Sequence, residues 1–240
     1  MTRIPFLSYV LILTHFYNGI PFYNTRILQN PNRPFIKDSE IKKIKRKLIK
    51  FHIDTLYKQL NIDELAAIHY YTSFKSYGDL NTSLRSVKGK FLKLSRFNRD
   101  YHRLLNSGLS KIPDAFKGEL YRGTSLSLSI LEKYKNALIE NTLITEWGFT
   151  STSENNDVIN FQYFTKEDDE IPVLFLIEAL GKAGKRINKI SAYGPNFIGS
   201  DKKPEYEVLF RDGAIFKIKS YEIKQTVRGH LYVEIAIREV

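Results

Sequence analysis

The 240-residue chain contains no cysteine, which excludes disulfide bonds, zinc-thiolate sites and thiol nucleophiles. It also lacks long hydrophobic runs, and the apolar stretch from Phe6 to Leu13 is far too short to cross a bilayer. This stretch follows Arg3 and precedes no A-x-A-like cleavage site, so a packed N-terminal segment is favoured over a secretory signal. We expect no transmembrane segment and no apolar C-terminal anchor tail.

Acidic residues are scarce in the first half of the chain. Residues 1–120 hold 21 Lys and Arg against 9 Asp and Glu, whereas residues 121–240 hold 16 against 17. The net charge of +11 therefore belongs to the first half. A basic lobe suits an anionic partner such as nucleic acid, a phosphate-bearing cofactor or an acidic protein surface, and a solvated face explains most of these residues equally well.

Several familiar catalytic sites are missing as well. The five histidines show no metal-ligand spacing, and no G-x-S-x-G serine elbow is present. The stretch "GKAGKR" lacks both the spacing and the Ser or Thr of a phosphate-binding P-loop. The sequence therefore predicts no metal site.

Residues 40–112 show helical patterns. The first helix carries an apolar stripe formed by Ile41, Ile44 and Leu48. Ser39 is predicted to cap this helix, whose polar face holds six Lys and Arg residues and suits a membrane, an acidic partner or simply solvent. Asn61 and Glu64 have the spacing of a capping box, and a later helical pattern is predicted to end at Gly108.

After Pro113 the pattern changes to short β-rich runs separated by turn residues. The tetrapeptide "RDGA" (Arg211 to Ala214) predicts a hairpin between two of these runs. Helical stretches near residues 126–139 and 157–164 interrupt the series. We therefore predict an α+β protein. It divides into an irregular arm (1–39) and one domain (40–240), which has a helical lobe (40–112) and a mixed, largely antiparallel β core (113–240).

Two glutamates, Glu205 and Glu207, are separated by one residue in "KPEYEV". In a β-strand, positions i and i+2 face the same way, so both carboxylates would project together and Tyr206 would point to the opposite face. Like charges on one patch repel each other unless solvent or a cation offsets the cost. A solvated strand face and an active site both fit this pattern.

Two earlier segments of the sequence help to interpret this glutamate pair. Arg122 in "LYRG", Ser151 in "FTSTS" and Glu205 and Glu207 in "EYEVLF" together resemble the R-S-E class of mono-ADP-ribosyltransferases. This class includes the C3-like toxins and the catalytic domains of the binary actin-modifying toxins. The resemblance covers residues 40–240 through "ELAAIHYYTSFKSYGDLNTSLR", "GKAGKRINKISAYG" and "EVLFRDGAIFKI". It implies an ADP-ribosyltransferase-like fold with a β-sandwich core around an NAD cleft, NAD as co-substrate and no metal.

The resemblance also implies a role for each residue of the motif. Glu207 would stabilise the positive charge that develops as the N-glycosidic bond of NAD breaks, and Ser151 would hold Glu207 in position. Arg122 would grip the phosphate or ribose of NAD, and Gly123 would allow close approach to the nicotinamide amide. Glu205 would orient an arginine acceptor and help to deprotonate it.

Further positions follow from the same resemblance, although simple packing explains them equally well. The candidate NAD-binding residues are Tyr71, Asn81, Arg85, Phe161 and Phe164. Tyr193 and Phe197 lie in a loop expected to recognise the protein substrate. This loop is longer than is typical of the class, and the loop after "STS" offers Lys166 where an arginine is usual.

The expected function is the transfer of ADP-ribose from NAD to an arginine of a target protein, with actin or another host protein as the candidate. The expected setting is a secreted or injected effector acting in the cytosol of a target cell. The alternatives are an NAD glycohydrolase and a transferase for a non-arginine acceptor. A nucleic-acid binder is disfavoured because the aromatics form no recognisable stacking module.

Overall fold

The computed structural model of the chain describes residues 38–50, 57–73, 77–113, 115–156, 170–197, 204–227 and 229–240. All of them fall within one unit of the chain, Pro34–Val240. The predicted arm before Asp38 and the predicted helical stretch at 157–164, with Phe161 and Phe164, lie outside the described residues. Among the described residues, no helix combines the length and the apolar character that crossing a bilayer requires.

Helices form the N-terminal part of the described chain. They are α1 (Asp38–Lys50), α2 (Ile62–Tyr71), α3 (Tyr77–Val87) and α4 (Arg96–Lys111), with a 3₁₀ turn at Phe91–Lys93. The capping box of α2 is confirmed: Asn61 Oδ1 accepts from the backbone N–H of Glu64, and the Glu64 carboxylate accepts from the backbone N–H of Asn61, each at 2.9 Å. The helices share one core, which includes the fully buried side chains of Ile68, Leu84 and Leu105.

The first helix is amphipathic, as predicted. Leu48 is buried in the helical core, and Ile44 packs against the same core. The exposed cations of the opposite face are Lys42, Lys43, Arg46 and Lys47. Lys45 forms an ion pair with Asp63 in the first turn of α2, which joins the two helices.

Two predicted helix boundaries are wrong. Ser39 lies inside α1, which already includes Asp38, so it is not the N-cap. Gly108 does not end α4, because the helix continues to Lys111. A Cβ at position 108 would lie 3.0 Å from Ile68 Cδ1 and 3.2 Å from Glu64 Cβ. This glycine therefore permits α4 to approach α2 closely instead of terminating the helix.

The rest of the described chain is built on seven strands and one helix. They are β1 (Ala115–Ser127), α5 (Leu128–Ile139), β2 (Leu143–Glu146), β3 (Thr150–Ser153), β4 (Glu170–Arg186), β5 (Glu207–Phe210), β6 (Ala214–Gln225) and β7 (Leu231–Glu239). Helix α5 begins two residues later than predicted, because Leu126 and Ser127 still pair with β4.

The strands form one hydrogen-bonded sheet in the order β1-β3-β5-β4-β7-β6-β2, and β1 also pairs with β4. This extra pairing closes β1, β3, β5 and β4 into a ring. Among the described strands, the β4–β7 pair is parallel and every other pair is antiparallel. The predicted α+β class with a mixed, largely antiparallel sheet is confirmed.

Strand β5 lies between two hydrophobic cores. Leu209 belongs to the core of the helices, whereas Val208 and Phe210 belong to the core between the sheet and α5. Because side chains alternate along a strand, Glu207 shares its face with Leu209 and points toward the helices. Burial on both faces fixes the register of β5, and with it the position of Glu207.

The "RDGA" turn does not form the predicted hairpin. It connects β5 to β6, but β5 pairs with β3 and β4, whereas β6 pairs with β2 and β7. The turn is instead anchored to other elements. The Asp212 carboxylate accepts hydrogen bonds from His102 Nε2 at 2.9 Å and Asn106 Nδ2 at 2.8 Å, and the Gly213 N–H donates to Glu146 O at 2.7 Å. These contacts fix the turn at which the chain passes from β5 to β6, which lie in different parts of the sheet.

Candidate active site

The Glu207 carboxylate is held by two serines. Glu207 is only 2% exposed. Ser151 Oγ donates to Oε1 at 2.5 Å, and Ser191 Oγ donates to Oε2 at 2.6 Å. Ser151 stands opposite Leu209 across the β3–β5 pair, diagonal to Glu207, a separation that a long side chain spans. The predicted contact between Ser151 and Glu207 is present, whereas the sequence did not indicate Ser191.

Arg122 completes the group from a third strand. It is half-buried in β1, and its Nη1 donates to Ser151 O at 2.7 Å. This bond ties the guanidinium to the residue that holds Glu207. Gly123 is the next residue of β1 and pairs with Leu174 of β4. Arg122, Ser151 and Glu207, which are widely separated in sequence, therefore meet at one place.

Glu205 reaches the same place by a route that differs from the prediction. Strand β5 begins at Glu207, so Glu205 precedes it, and Tyr206 has a positive φ of 45°. The simple strand alternation assumed for "EYE" is therefore wrong. Hydrogen bonds fix the segment instead: Ser153 Oγ donates to Glu205 O at 2.5 Å, and the Glu154 N–H donates to Tyr206 O at 3.2 Å. Local backbone strain of this kind is common at functional sites.

The two carboxylates titrate in different surroundings. Burial and, as the smaller cause, the neighbouring charge of Glu207 together raise the pKa of Glu205 to about 7. Burial also raises the pKa of Glu207, and the hydrogen bonds from Ser151 and Ser191 and the Arg122 charge act against that rise. A half-buried carboxyl with a pKa near 7 is suited to accept a proton at neutral pH.

The family model of the ADP-ribosyltransferase exoenzymes matches residues 38–239, which include all four of these side chains. The chain belongs to this family.

Individual relatives match different shares of this chain. It is 32% identical over 177 residues to the NAD(+)–protein-arginine ADP-ribosyltransferase Tre1 of Serratia proteamaculans, a match that covers 73% of this chain. The matched region spans only 33% of Tre1, 16% of Mav from Mycobacterium avium and 49% of Vis from Vibrio splendidus. The chain thus spans half or less of the length of the curated relatives it matches.

Solved structures share the fold of this chain. Vis in complex with agmatine has a TM-score of 0.57 at 24% identity, covering 87% of this chain and 88% of the solved Vis chain. The ADP-ribosyltransferase HopU1 of Pseudomonas syringae has a TM-score of 0.63 at 17% identity, covering 83% of this chain and 87% of the solved HopU1 chain. The predicted ADP-ribosyltransferase-like fold is confirmed.

Two further candidate residues hold the start of β3. Asn81 Oδ1 accepts from the Phe149 N–H at 2.9 Å, and Asn81 Nδ2 donates to Phe149 O at 3.1 Å. The buried Tyr71 hydroxyl donates to the same carbonyl at 3.0 Å and accepts from Asn81 Nδ2 at 2.9 Å. These contacts favour a positioning role for Tyr71 and Asn81, because they fix the backbone two residues before Ser151. Contact of either residue with NAD stays a prediction.

We expect Asn81→Ala to destabilise the protein by about 1–3 kcal/mol, because it leaves the buried N–H of Phe149 without its partner. It should also lower the rate of NAD cleavage, since β3 carries Ser151. Thermal unfolding and nicotinamide release measure the two effects. The matched control is Asn98→Ala, which removes a single bond to Ser83 Oγ on α3. Equal effects of the two variants would contradict the role of Asn81.

The remaining candidates have mixed surroundings. Arg85 is exposed on α3, and its guanidinium carbon would lie 3.3 Å from a Cβ added at Gly148, so Gly148 leaves room beside this cation. The ring of Phe197 packs against His69, with centroids 4.5 Å apart, and Tyr193 is half-buried. Contact of Arg85 with NAD, and of Tyr193 and Phe197 with a protein substrate, stays a prediction.

No metal centre is visible within the part of the chain that the structure describes. No three or more of its His, Asp and Glu side chains are grouped so that they could hold a metal ion. The buried His69 and the His102–Asp212 pair each serve packing or anchoring contacts instead.

Proposed function

We propose that this protein transfers ADP-ribose from NAD to the side chain of an arginine, with release of nicotinamide. The observation that carries the proposal is the convergence of Arg122, Ser151, Glu205 and Glu207 from separate segments into one site. The same set supplies a cation, a carboxylate held by hydrogen bonds, and a second carboxyl suited to proton transfer.

The residues fit the chemistry of NAD. When NAD is bound, its nicotinamide leaves by cleavage of an N-glycosidic bond, and positive charge develops on the ribose. A carboxylate beside the ribose stabilises that charge, as in glycoside hydrolysis. Glu207 is assigned this role, because its two serine bonds fix its orientation before the reaction begins. A dry environment strengthens the electrostatic effect of such a buried carboxylate.

Arg122 is assigned to the anionic part of NAD. A guanidinium carries five N–H donors, and the bond to Ser151 O uses only one of them. The remaining donors suit phosphate oxygens, which a planar fork binds in pairs. The Arg122 guanidinium also donates to the carbonyl of Ser151, the residue that orients Glu207. A bound NAD that contacts Arg122 is therefore positioned relative to Glu207.

Glu205 is assigned to the acceptor. A guanidinium must lose a proton when it forms a bond to the ribose, and Glu205 is the carboxyl in the site with a pKa of about 7. The descriptions of two relatives support an arginine acceptor. Tre1 is named as a protein-arginine ADP-ribosyltransferase, and Vis has been solved with agmatine, which carries the guanidinium group of arginine.

The setting of the reaction belongs to the same proposal. Vis of Vibrio splendidus and Plx2a of Paenibacillus larvae are both described as toxins. We assign this chain the corresponding role of a toxin or effector, secreted or injected, that modifies a protein in the cytosol of another cell. Actin is one candidate target, and no nucleic-acid partner is proposed.

The test is nicotinamide release from NAD by the purified protein, with and without agmatine. We expect agmatine to accelerate the release and mass spectrometry to detect ADP-ribosyl-agmatine. Release that is equally fast without an acceptor would identify an NAD glycohydrolase instead. No release under either condition, from protein shown to be folded by circular dichroism, would refute both activities.

A further inference from the structure

Ser191 occupies a junction that the function proposed above leaves unassigned. It lies after β4 and is fully buried, with 0% exposure. Its hydroxyl donates to Glu207 Oε2 at 2.6 Å and accepts from the Tyr193 N–H at 3.2 Å. One hydroxyl therefore contacts both the central carboxylate and the beginning of the segment that leads to Glu205.

The contacts continue from that segment to Glu205. The Glu205 N–H donates to Tyr193 O at 3.2 Å. Hydrogen bonds thus connect the Glu207 side chain, through Ser191 and Tyr193, to the backbone of Glu205. These bonds hold Tyr193 beside Glu205, and Ser191 is the residue among them that contacts Glu207.

Helix α2 and the residue that follows it, Thr72, bind the two residues that flank Ser191. His69 Nδ1 donates to Ile190 O at 2.8 Å, and Thr72 Oγ1 accepts from the Ala192 N–H at 2.7 Å. Burial lowers the pKa of His69, so the ring is neutral at pH 7 and carries its proton on Nδ1, since a carbonyl only accepts. The residue before Ser191 and the residue after it are therefore both bonded to a rigid element.

We propose that Ser191 is a positioning residue of the active site: it fixes the second carboxylate oxygen of Glu207 and joins that carboxylate, through Tyr193, to the backbone of Glu205. The catalytic part of this inference rests on the proposed function, whereas the placement of the carboxylate does not. Ser151 holds the other oxygen, so the two serines together leave the carboxylate a single orientation.

The surroundings of Glu207 make the contribution of Ser191 measurable. Among the described residues, the charged or titratable groups that interact electrostatically with Glu207 are Arg122, Glu205 and Tyr71. The serine bonds and Arg122 lower the pKa of Glu207 against the effect of burial. Removing the Ser191 hydroxyl should therefore raise the pKa of Glu207 and move the acid limb of the pH–rate profile upward. A purely structural role would not shift this limb.

The experiment compares Ser191→Ala with Ser191→Thr. Losing a hydrogen bond to a charged group is expected to lower kcat by about 10- to 100-fold. We expect this fall for the alanine variant, with little change in the KM for NAD. The threonine variant keeps the hydroxyl and should retain more activity, although its extra methyl group enters a fully buried position. Ser110→Ala, which removes an exposed bond to Ser107 O on α4, is the matched control.

A second readout does not depend on activity. The carboxyl ¹³C shift of Glu207, assigned by its loss in Glu207→Gln, is followed against pH in the wild type and in Ser191→Ala. An upward shift of the titration in the alanine variant supports the placement of the carboxylate, even if the wild type proves not to cleave NAD. An unshifted titration overturns the inference. So does an alanine variant whose kcat matches that of the wild type.

Discussion

Replacing Glu207 with Gln is expected to lower the rate of NAD cleavage by about 10²–10³ or more, because a preorganised charge at the reacting centre is lost. Glutamine has the same shape, so the affinity for NAD should fall much less than kcat. Nicotinamide release under saturating NAD measures the effect. Glu178→Gln is the control, since Glu178 is an exposed glutamate on β4 paired with Arg238.

The same substitution should not destabilise the protein at neutral pH. Burial raises the pKa of Glu207 in the folded state, so the unfolded chain releases this proton more readily. Ionised Glu207 therefore destabilises the folded protein. This loss of stability grows as the pH rises from the pKa of Glu207 in the unfolded chain through its pKa in the folded protein. The glutamine side chain carries no charge to desolvate. The melting temperature of the Glu207→Gln variant at pH 7 should therefore match or exceed that of the wild type. A large fall in both activity and melting temperature would show that Glu207 is structural.

The central triad was predicted from sequence through its resemblance to the R-S-E class, in which these residue types stand in this order. Arg122, Ser151 and Glu207 lie on strands that a β-rich pattern predicts, and the structure brings them together. Ser191 carried no such signal. A single serine after an apolar residue is ordinary, and its contact with Glu207 arises only when the chain after β4 packs onto helix α2.

The missed features share a physical cause, which is that tertiary contacts override local preference. "RDGA" has the composition of a hairpin turn, yet Asp212 is bound by side chains of α4 and the flanking strands pair elsewhere. Gly108 resembles a helix terminator, yet it serves the close approach of α4 to α2. At Tyr206, hydrogen bonds to the neighbouring residues maintain a left-handed conformation that no alternation rule anticipates.

The second large effect is expected for Glu205→Gln, which should separate transfer from hydrolysis. Loss of a general base costs about 10²–10⁴ in rate, so transfer to agmatine should fall by at least about 10²-fold. Cleavage of NAD in the absence of an acceptor should fall far less, because Glu207 and its serines remain. The ratio of ADP-ribosyl-agmatine to free ADP-ribose measures the separation. Glu140→Gln, on an exposed residue after α5, is the control.

The pH dependence of transfer provides the decisive check on Glu205. Its ionised form accepts the proton, so transfer by the wild type should rise as the pH increases through about 7 and then level off. The variant should lack this limb. Ionising Glu205 also lowers stability as the pH rises from its ordinary pKa of 4.5 to about 7, so the variant should be more stable than the wild type above pH 7. If the limb persisted in the variant, or if both activities fell equally, another group would be the base and Glu205 would serve only the shape of the site.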